Sequence, residues 1–288
     1  QRLGPGWWAL GGERSTAMPP DDDFPSIDTQ RASAARCYDH MLGGTDNYEI
    51  DRRTNEALED MNPGTFAMAR NNRRYLERVV RYLAGEGGIR QFIDHGTGLP
   101  TRNNVHQVAQ GLAPGSRVVY VDNDPVVLAH GRVRALLAEN DSTTFIEADA
   151  CDTDAILGHP DTRRLINFDE PVAVLFISFF HNVPDARDPV GIAHGLMARL
   201  AAGSYLAMSH VVSDDPEVRR KGTEMLLAAT GGNFGRLRAR DEVAAFFDGL
   251  EIVDPGLVNV TDWRPDGRDE EQTLGWFEYG GVGRRPAD

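Results

Sequence analysis

The chain has 288 residues and little lysine, cysteine, unbroken apolar sequence or positive charge. Each shortage excludes something. Lys221 is the only lysine. Gly222 and Thr223 follow it, but no glycine loop precedes it, so the sequence has no Walker phosphate-binding loop. Schiff-base chemistry would have to rest on that same residue, in a charged, helical segment. The two cysteines, Cys37 and Cys151, are far apart. They offer neither a disulfide framework nor zinc spacing, and they suit a reducing, cytoplasmic setting. No stretch approaches the roughly 18 apolar residues of a membrane span. Lys and Arg number 30 against 44 Asp and Glu, a net charge of −14 that argues against a nucleic-acid partner. Arg70, Arg73, Arg74, Arg78 and Arg81 do cluster, but at helical spacing, and read as a solvated helix face.

What is present is ordinary globular sequence, 41% hydrophobic and 26% charged, long enough for one large α/β domain with an appendage. Residues 1–28 are rich in Gly, Pro and Asp, carry no proper signal-peptide core, and read as a mobile tail. Residues 29–88 read as a helical cap: Ala32–Leu42 stopped by Gly43-Gly44, then Tyr48–Met61 and Thr65–Leu83 around the turn Asn62-Pro63-Gly64. Residues 89–288 then alternate. The pattern predicts strands at Gln91–Asp94, Arg117–Asp122, Thr143–Glu147, Val172–Ser178, Ser204–Ser209, Leu250–Val253 and Leu274–Tyr279. Helices fall at Thr101–Gly111, Pro125–Glu139, Asp188–Leu200, Pro216–Ala229 and Ala239–Phe247. This is a doubly wound sheet with ligands at the carboxyl ends of its strands. Its last two strands are joined without a helix and so pair antiparallel.

Three strand ends carry chemistry. FIDHGTGLPT, residues 92–101, places Gly96 and Gly98 where backbone can approach a ligand, with Thr101 as N-cap of the next helix. Asp122 ends the second strand about 26 residues beyond Gly96, where an acid can accept from both ribose hydroxyls of a nucleotide. Asp149, past the third strand, can accept an adenine amine while the next amide meets a ring nitrogen. Asp122-Asn123-Asp124 also mimics a metal-binding Asp-x-Asp. Asp124 stands before Pro125, however, and is better explained as a helix N-cap; no metal site is expected. His181, after the fourth strand, could act as a base with a pKa suited to neutral pH. His210 and Tyr48 come behind it, and His106 reads as structural.

The order IDHGTGLP, VVYVDNDP, FIEADACD, VLFISFFHNVPD resembles a class I S-adenosylmethionine-dependent methyltransferase. ARCYDHMLGGTDNYEIDR, NNRRYLERVVRYL and GLPTRNNVH are similar to one bacterial family of these enzymes, first described as a domain of unknown function. The resemblance covers about residues 29–280. It implies a Rossmann-like, seven-stranded mixed sheet with an antiparallel last strand, and S-adenosylmethionine as cofactor. By position, Asp94, Gly96 and Gly98 would face its methionine part, Asp122 the ribose, and Asn123 the side of the adenine. Asp149 and Ala150 would take the adenine edge, with Ser178 and Phe179 beside the sulfonium. Pro100 departs from the usual third glycine and has no amide to offer. Tyr38 and Arg73 are assigned as its replacements from the helical cap, not from a motif. The expected reaction is methyl transfer to O or N of a small molecule, with the cap as lid. A binding protein without transferase activity, a nicotinamide oxidoreductase, and a metal-dependent glycosyl transferase using Asp122-Asn123-Asp124 are the rivals. Acceptor and oligomeric state are not legible.

Overall fold

The computed structural model describes residues 27–101, 103–128, 141–272 and 275–287. The tail expectation therefore lies outside the described residues except at Ile27 and Asp28. The same holds for the helix expected over 125–139 beyond Leu128, and for the first residue of the last strand.

The chain opens with three helices, α1 (Ala34–Met41), α2 (Glu49–Met61) and α3 (Thr65–Ala84). β1 (Gln91–His95), α4 (Val105–Leu112), β2 (Arg117–Asp122) and β3 (Thr143–Glu147) follow. Two short helices, α5 (Thr153–Gly158) and α6 (Pro160–Leu165), then lead to β4 (Ala173–Ile177). Next come α7 (Pro189–Ala198), β5 (Tyr205–Val212), α8 (Pro216–Ala229) and α9 (Arg240–Ala244). β6 (Glu251–Ile252), β7 (Val258–Asn259) and β8 (Phe277–Arg284) end the fold. The sheet order is β3-β2-β1-β4-β5-β8-β6, with β7 also on β8. β1 to β5 run parallel, and β8 runs antiparallel to β5. After β1 the order grows outward through β2 and β3, then restarts at β4 on the other side, so the ends of β1 and β4 form the switch-point crevice.

The antiparallel last strand is as expected; among the described residues the strand count is eight rather than seven. The extra strand is the two-residue β7, too short to leave a pattern. β8 also runs on past Tyr279 through glycines that a strand pattern discounts. Gly280 is there because it lies so close to β5 that a Cβ would overlap the Met208 carbonyl oxygen. α5 and α6 were not expected either. Their signals are local ones, Asp152 accepting from the Ala155 amide at 2.9 Å and Pro160 opening the second helix.

α3 is part of the sheet's own core. Val79, Val80 and Leu83 are fully buried against Phe92, Val118 and Val282, each contributing roughly 1.5–3 kcal/mol. The Tyr75 hydroxyl donates towards the Met208 and Gly281 carbonyls (3.2 and 3.0 Å), fixing α3 across β5 and β8. Met41 of α1 and Leu58 of α2 instead form a smaller core with Trp276 and Phe234, with side chains of α8 packed against it. The arginine row corrects the solvated-face expectation. Arg78 is buried and donates to the Trp263 and Val260 carbonyls (2.9 and 2.6 Å). Arg70 and Arg74 share Glu270. Arg70, Arg74 and Arg78 form a rail on which the segment before β8 docks, whereas Arg81 is exposed.

Candidate functional site

A cavity of about 650 Å³ lies over the carboxyl ends of β1, β2, β3 and β4, beneath α1. The twelve residues assigned from sequence to the cofactor or to catalysis line it: Tyr38, Arg73, Asp94, Gly96, Gly98, Asp122, Asn123, Asp149, Ala150, Ser178, Phe179 and His181; the lesser candidates His210 and Tyr48 do not.

The floor is the turn after β1. Gly96 and Gly98 take positive φ (65° and 66°), and a Cβ on Gly96 would overlap the Phe179 ring. The chain therefore passes flat under that ring, which only glycine permits. Asp122 organises the turn. One carboxylate oxygen accepts from the Gly98 amide at 2.8 Å, the other from the Asn123 and Asp124 amides at 2.8 and 2.9 Å. Burial raises its pKa, and these amides offset part of the rise. Asp124 caps the helix beginning at Pro125 by accepting from the Val126 amide at 2.9 Å, as expected. It also accepts from the Ser33 hydroxyl at 2.6 Å, tying the start of α1 to this edge. The helix cap after the glycine turn is Asn104 rather than Thr101. Gln107 accepts from the Asn104 amide at 2.9 Å and the helix starts at Val105, so the loop is longer than the pattern suggested.

At the β3 end, Asp149 accepts from the Cys151 amide at 2.9 Å and pairs with Arg187 at 2.7 Å, an exposed pair of small energetic weight. The Ala150 carbonyl meets Nδ1 of buried His95 at 3.1 Å, and the ring stacks on Phe176. Burial pushes the His95 pKa down to about 4, so the ring is neutral and Nδ1 is the donor.

Asp94 sits at the back. Burial raises its carboxyl to about 7, with Arg73 pulling down and Asp122 pushing up. Arg73 reaches over from α3 and donates to the Asn103 carbonyl (3.0 Å) and Asn104 Oδ1 (3.2 Å), in the loop that contains Pro100. The Tyr38 hydroxyl donates to the Ala69 carbonyl and accepts from Asn72 (both 3.1 Å), and burial pushes its pKa up to about 12.

His181 differs from expectation. It is in the cavity wall, but Val211 N–H points at its Nδ1 at 3.4 Å, and burial with nearby Arg238 lowers its pKa to about 3. A neutral ring of that basicity is a poor proton acceptor at pH 7. His210 is likewise buried, between Arg238 and the Val211 carbonyl, with its pKa pushed well down.

The model of the S-adenosyl methyltransferase family matches residues 21–286. The chain belongs to that family. It is similar to a solved DUF574 family protein from Streptomyces avermitilis at 41% identity, over 91% of this chain and all of that one, with TM-score 0.82. A putative methyltransferase from Thermobifida fusca is 40% identical over 91% of this chain and 98% of its own length, TM-score 0.83. No curated protein matches the chain.

The family's cofactor is S-adenosylmethionine, and the cavity suits it. Among the described residues the Ala150 amide donates to nothing and the Asp94 carboxylate accepts from no side chain or amide. Asp122 uses three of its roughly four acceptor positions. A free amide, a free buried acid and a spare acceptor at three successive strand ends match an adenine edge, an ammonium and a ribose hydroxyl. Residues that the sequence reading missed complete the wall. Ile27, Asp28, Arg31, Ala32 and Ser33 line the cavity, with the Ala32 amide on the Ala229 carbonyl at 3.3 Å. Thr230 and Asn233 line it from beyond α8. Glu278 lies behind Ser178. Long-range contacts place these groups, and no local motif announces them.

Proposed function

We propose that the protein transfers the methyl group of S-adenosylmethionine to an oxygen or nitrogen atom of a small-molecule acceptor. The observation that carries this reading is the cap. α1 and Ile27–Ser33 wall the side of the cavity opposite the strand ends, so an acceptor must be small enough to lie beneath them, beside Ser178 and Phe179. The two free, buried cysteines fit a cytoplasmic setting. No described helix is long and apolar enough to cross a membrane.

When bound, S-adenosylmethionine supplies an activated methyl group on a sulfonium leaving group. The chain's task is alignment and exclusion of water. Asp122 and the Ala150 amide would fix the adenosine, while Asp94 and Arg73 would fix the amino-acid end, Arg73 supplying the charge that Pro100 cannot supply through an amide. The Phe179 ring, seated on Gly96, holds one wall of the transfer position. His181, kept neutral, orients rather than deprotonates.

Incubation with methyl-labelled S-adenosylmethionine and a cell extract separated by ultrafiltration tests the reading. Label in the small-molecule fraction, dependent on the protein, supports it. Label confined to macromolecules contradicts the acceptor class, and cofactor binding without labelled product contradicts transfer.

A further inference from the structure

Glu278 on β8 is 1% exposed and lies one hydroxyl behind the cavity wall. Its Oε1 accepts from the Ser178 hydroxyl at 2.5 Å, and its Oε2 has no partner. Ser178, which lines the cavity, is held in the left-handed region (φ 57°) by its amide, which points at the Ser209 hydroxyl oxygen at 2.9 Å. Holding a residue with a Cβ there costs about 1 kcal/mol, so the surroundings fix this position firmly. From Ser209 the network continues into the cap. Its hydroxyl donates to Asn72 Oδ1 at 2.7 Å, and Asn72 donates to the Tyr38 hydroxyl at 3.1 Å. A buried acid with one orphan oxygen, joined to the site through a single serine, is costly unless its charge is used.

We propose that Glu278 provides the counter-charge for a cation bound against Ser178, giving up its proton to solvent when a sulfonium occupies the cavity and regaining one when the neutral thioether product remains. This rests on the S-adenosylmethionine reading above. Burial raises the Glu278 carboxyl to about 7, and the Ser178 hydroxyl offsets part of the rise, so either state is accessible. The other titratable groups facing it are the phenols of Tyr38 on α1 and Tyr75 on α3, both with raised pKa and neutral at pH 7. Among the described residues Glu278 has no ion-pair partner. Asp122 and Asp94, whose carboxyls are also raised, line the cavity itself, and Asp94 has Arg73 beside it. It would face the same ammonium and carboxylate in S-adenosylmethionine and in S-adenosylhomocysteine, so the difference between these two ligands isolates the sulfonium charge. The site would then favour substrate cofactor over product and would release the product more readily.

Calorimetric titration at pH 7 in two buffers of different ionisation enthalpy counts the protons. The ligands are S-adenosylmethionine, S-adenosylhomocysteine and sinefungin, which carries an ammonium group in the sulfonium's place. The two cations should release about half a proton more than the thioether. Glu278→Gln should erase that difference and lower the preference for S-adenosylmethionine over S-adenosylhomocysteine about tenfold. Equal proton counts in the wild-type protein overturn the proposal without need of any variant. A difference that persists in Glu278→Gln, or in Ser178→Ala should the first variant not fold, overturns it too. Failure of all three ligands to bind overturns the cofactor reading and this inference with it.

Discussion

The two ends of the cavity are built differently. The ends of β1, β2 and β3 form their part from backbone amides and from strand-end acids that organise those amides. Asp122 with Gly98, Asn123 and Asp124 is the clearest case. The end around Ser178 is built from side chains distant in sequence, with Glu278, Ser209, Asn72 and Tyr38 meeting through β8, β5, α3 and α1. The first end recognises a fixed shape with dipoles. The second holds one buried acid, Glu278, whose charge can change near pH 7.

If the division holds, damage to the cradle should abolish binding outright. Asp122→Ala unties three amides at once and should weaken S-adenosylmethionine binding by about 3 kcal/mol, more than a hundredfold in Kd by calorimetry. Loss of less than tenfold would show that the cradle does not depend on this acid.

Damage to the wall should instead appear as pH dependence. Burial raises Glu278 from 4.5 to about 7, so the folded protein binds a proton more tightly than the unfolded chain. Its contribution to stability is full below pH 4.5 and is lost as pH rises through 7. His95 and His181 act with the opposite sign below their ordinary value of 6.5, because burial keeps them neutral. The quantity to follow is therefore the difference between the wild-type protein and Glu278→Gln. Urea unfolding without ligand should show the wild type losing about 3 kcal/mol relative to the variant between pH 4.5 and 8. A flat difference would show that Glu278 does not titrate there.

Arg73 joins the two ends. Arg73→Met should weaken S-adenosylmethionine about tenfold while leaving 5′-methylthioadenosine, which lacks the amino-acid part, unchanged. Equal loss for both would assign Arg73 to the loop at Asn103 and Asn104 rather than to the ligand. The smallest effect is expected at Asp124. Its replacement by Ala should cost about 1 kcal/mol of thermal stability through the lost cap, with affinity within about threefold. A larger loss of affinity would show that the Ser33 contact holds the cap closed over the ligand.

The sequence was legible in proportion to how local each feature is. Gly96, Asp122 and Asp149 follow strands whose apolar runs are unmistakable, so their place at one crevice follows from the alternation of strands and helices. Glu278 left no such signal. It is an acid amid aromatic and glycine residues, and its burial depends on β8 pairing with β5 and packing under α3. The arginine row misled for the same reason, since helical spacing cannot tell solvent from a docked loop. His181 was found but its basicity was not, because its pKa is lowered by burial and then by Arg238, neither of which its neighbours in sequence disclose.

The central claim is that this cavity holds S-adenosylmethionine across three strand ends. Competition calorimetry with S-adenosylmethionine and NAD⁺ tests it most directly. The structure predicts one S-adenosylmethionine per chain, displaced by S-adenosylhomocysteine and indifferent to NAD⁺. Binding of NAD⁺ that excludes S-adenosylmethionine, or no binding of S-adenosylmethionine at all, would contradict it.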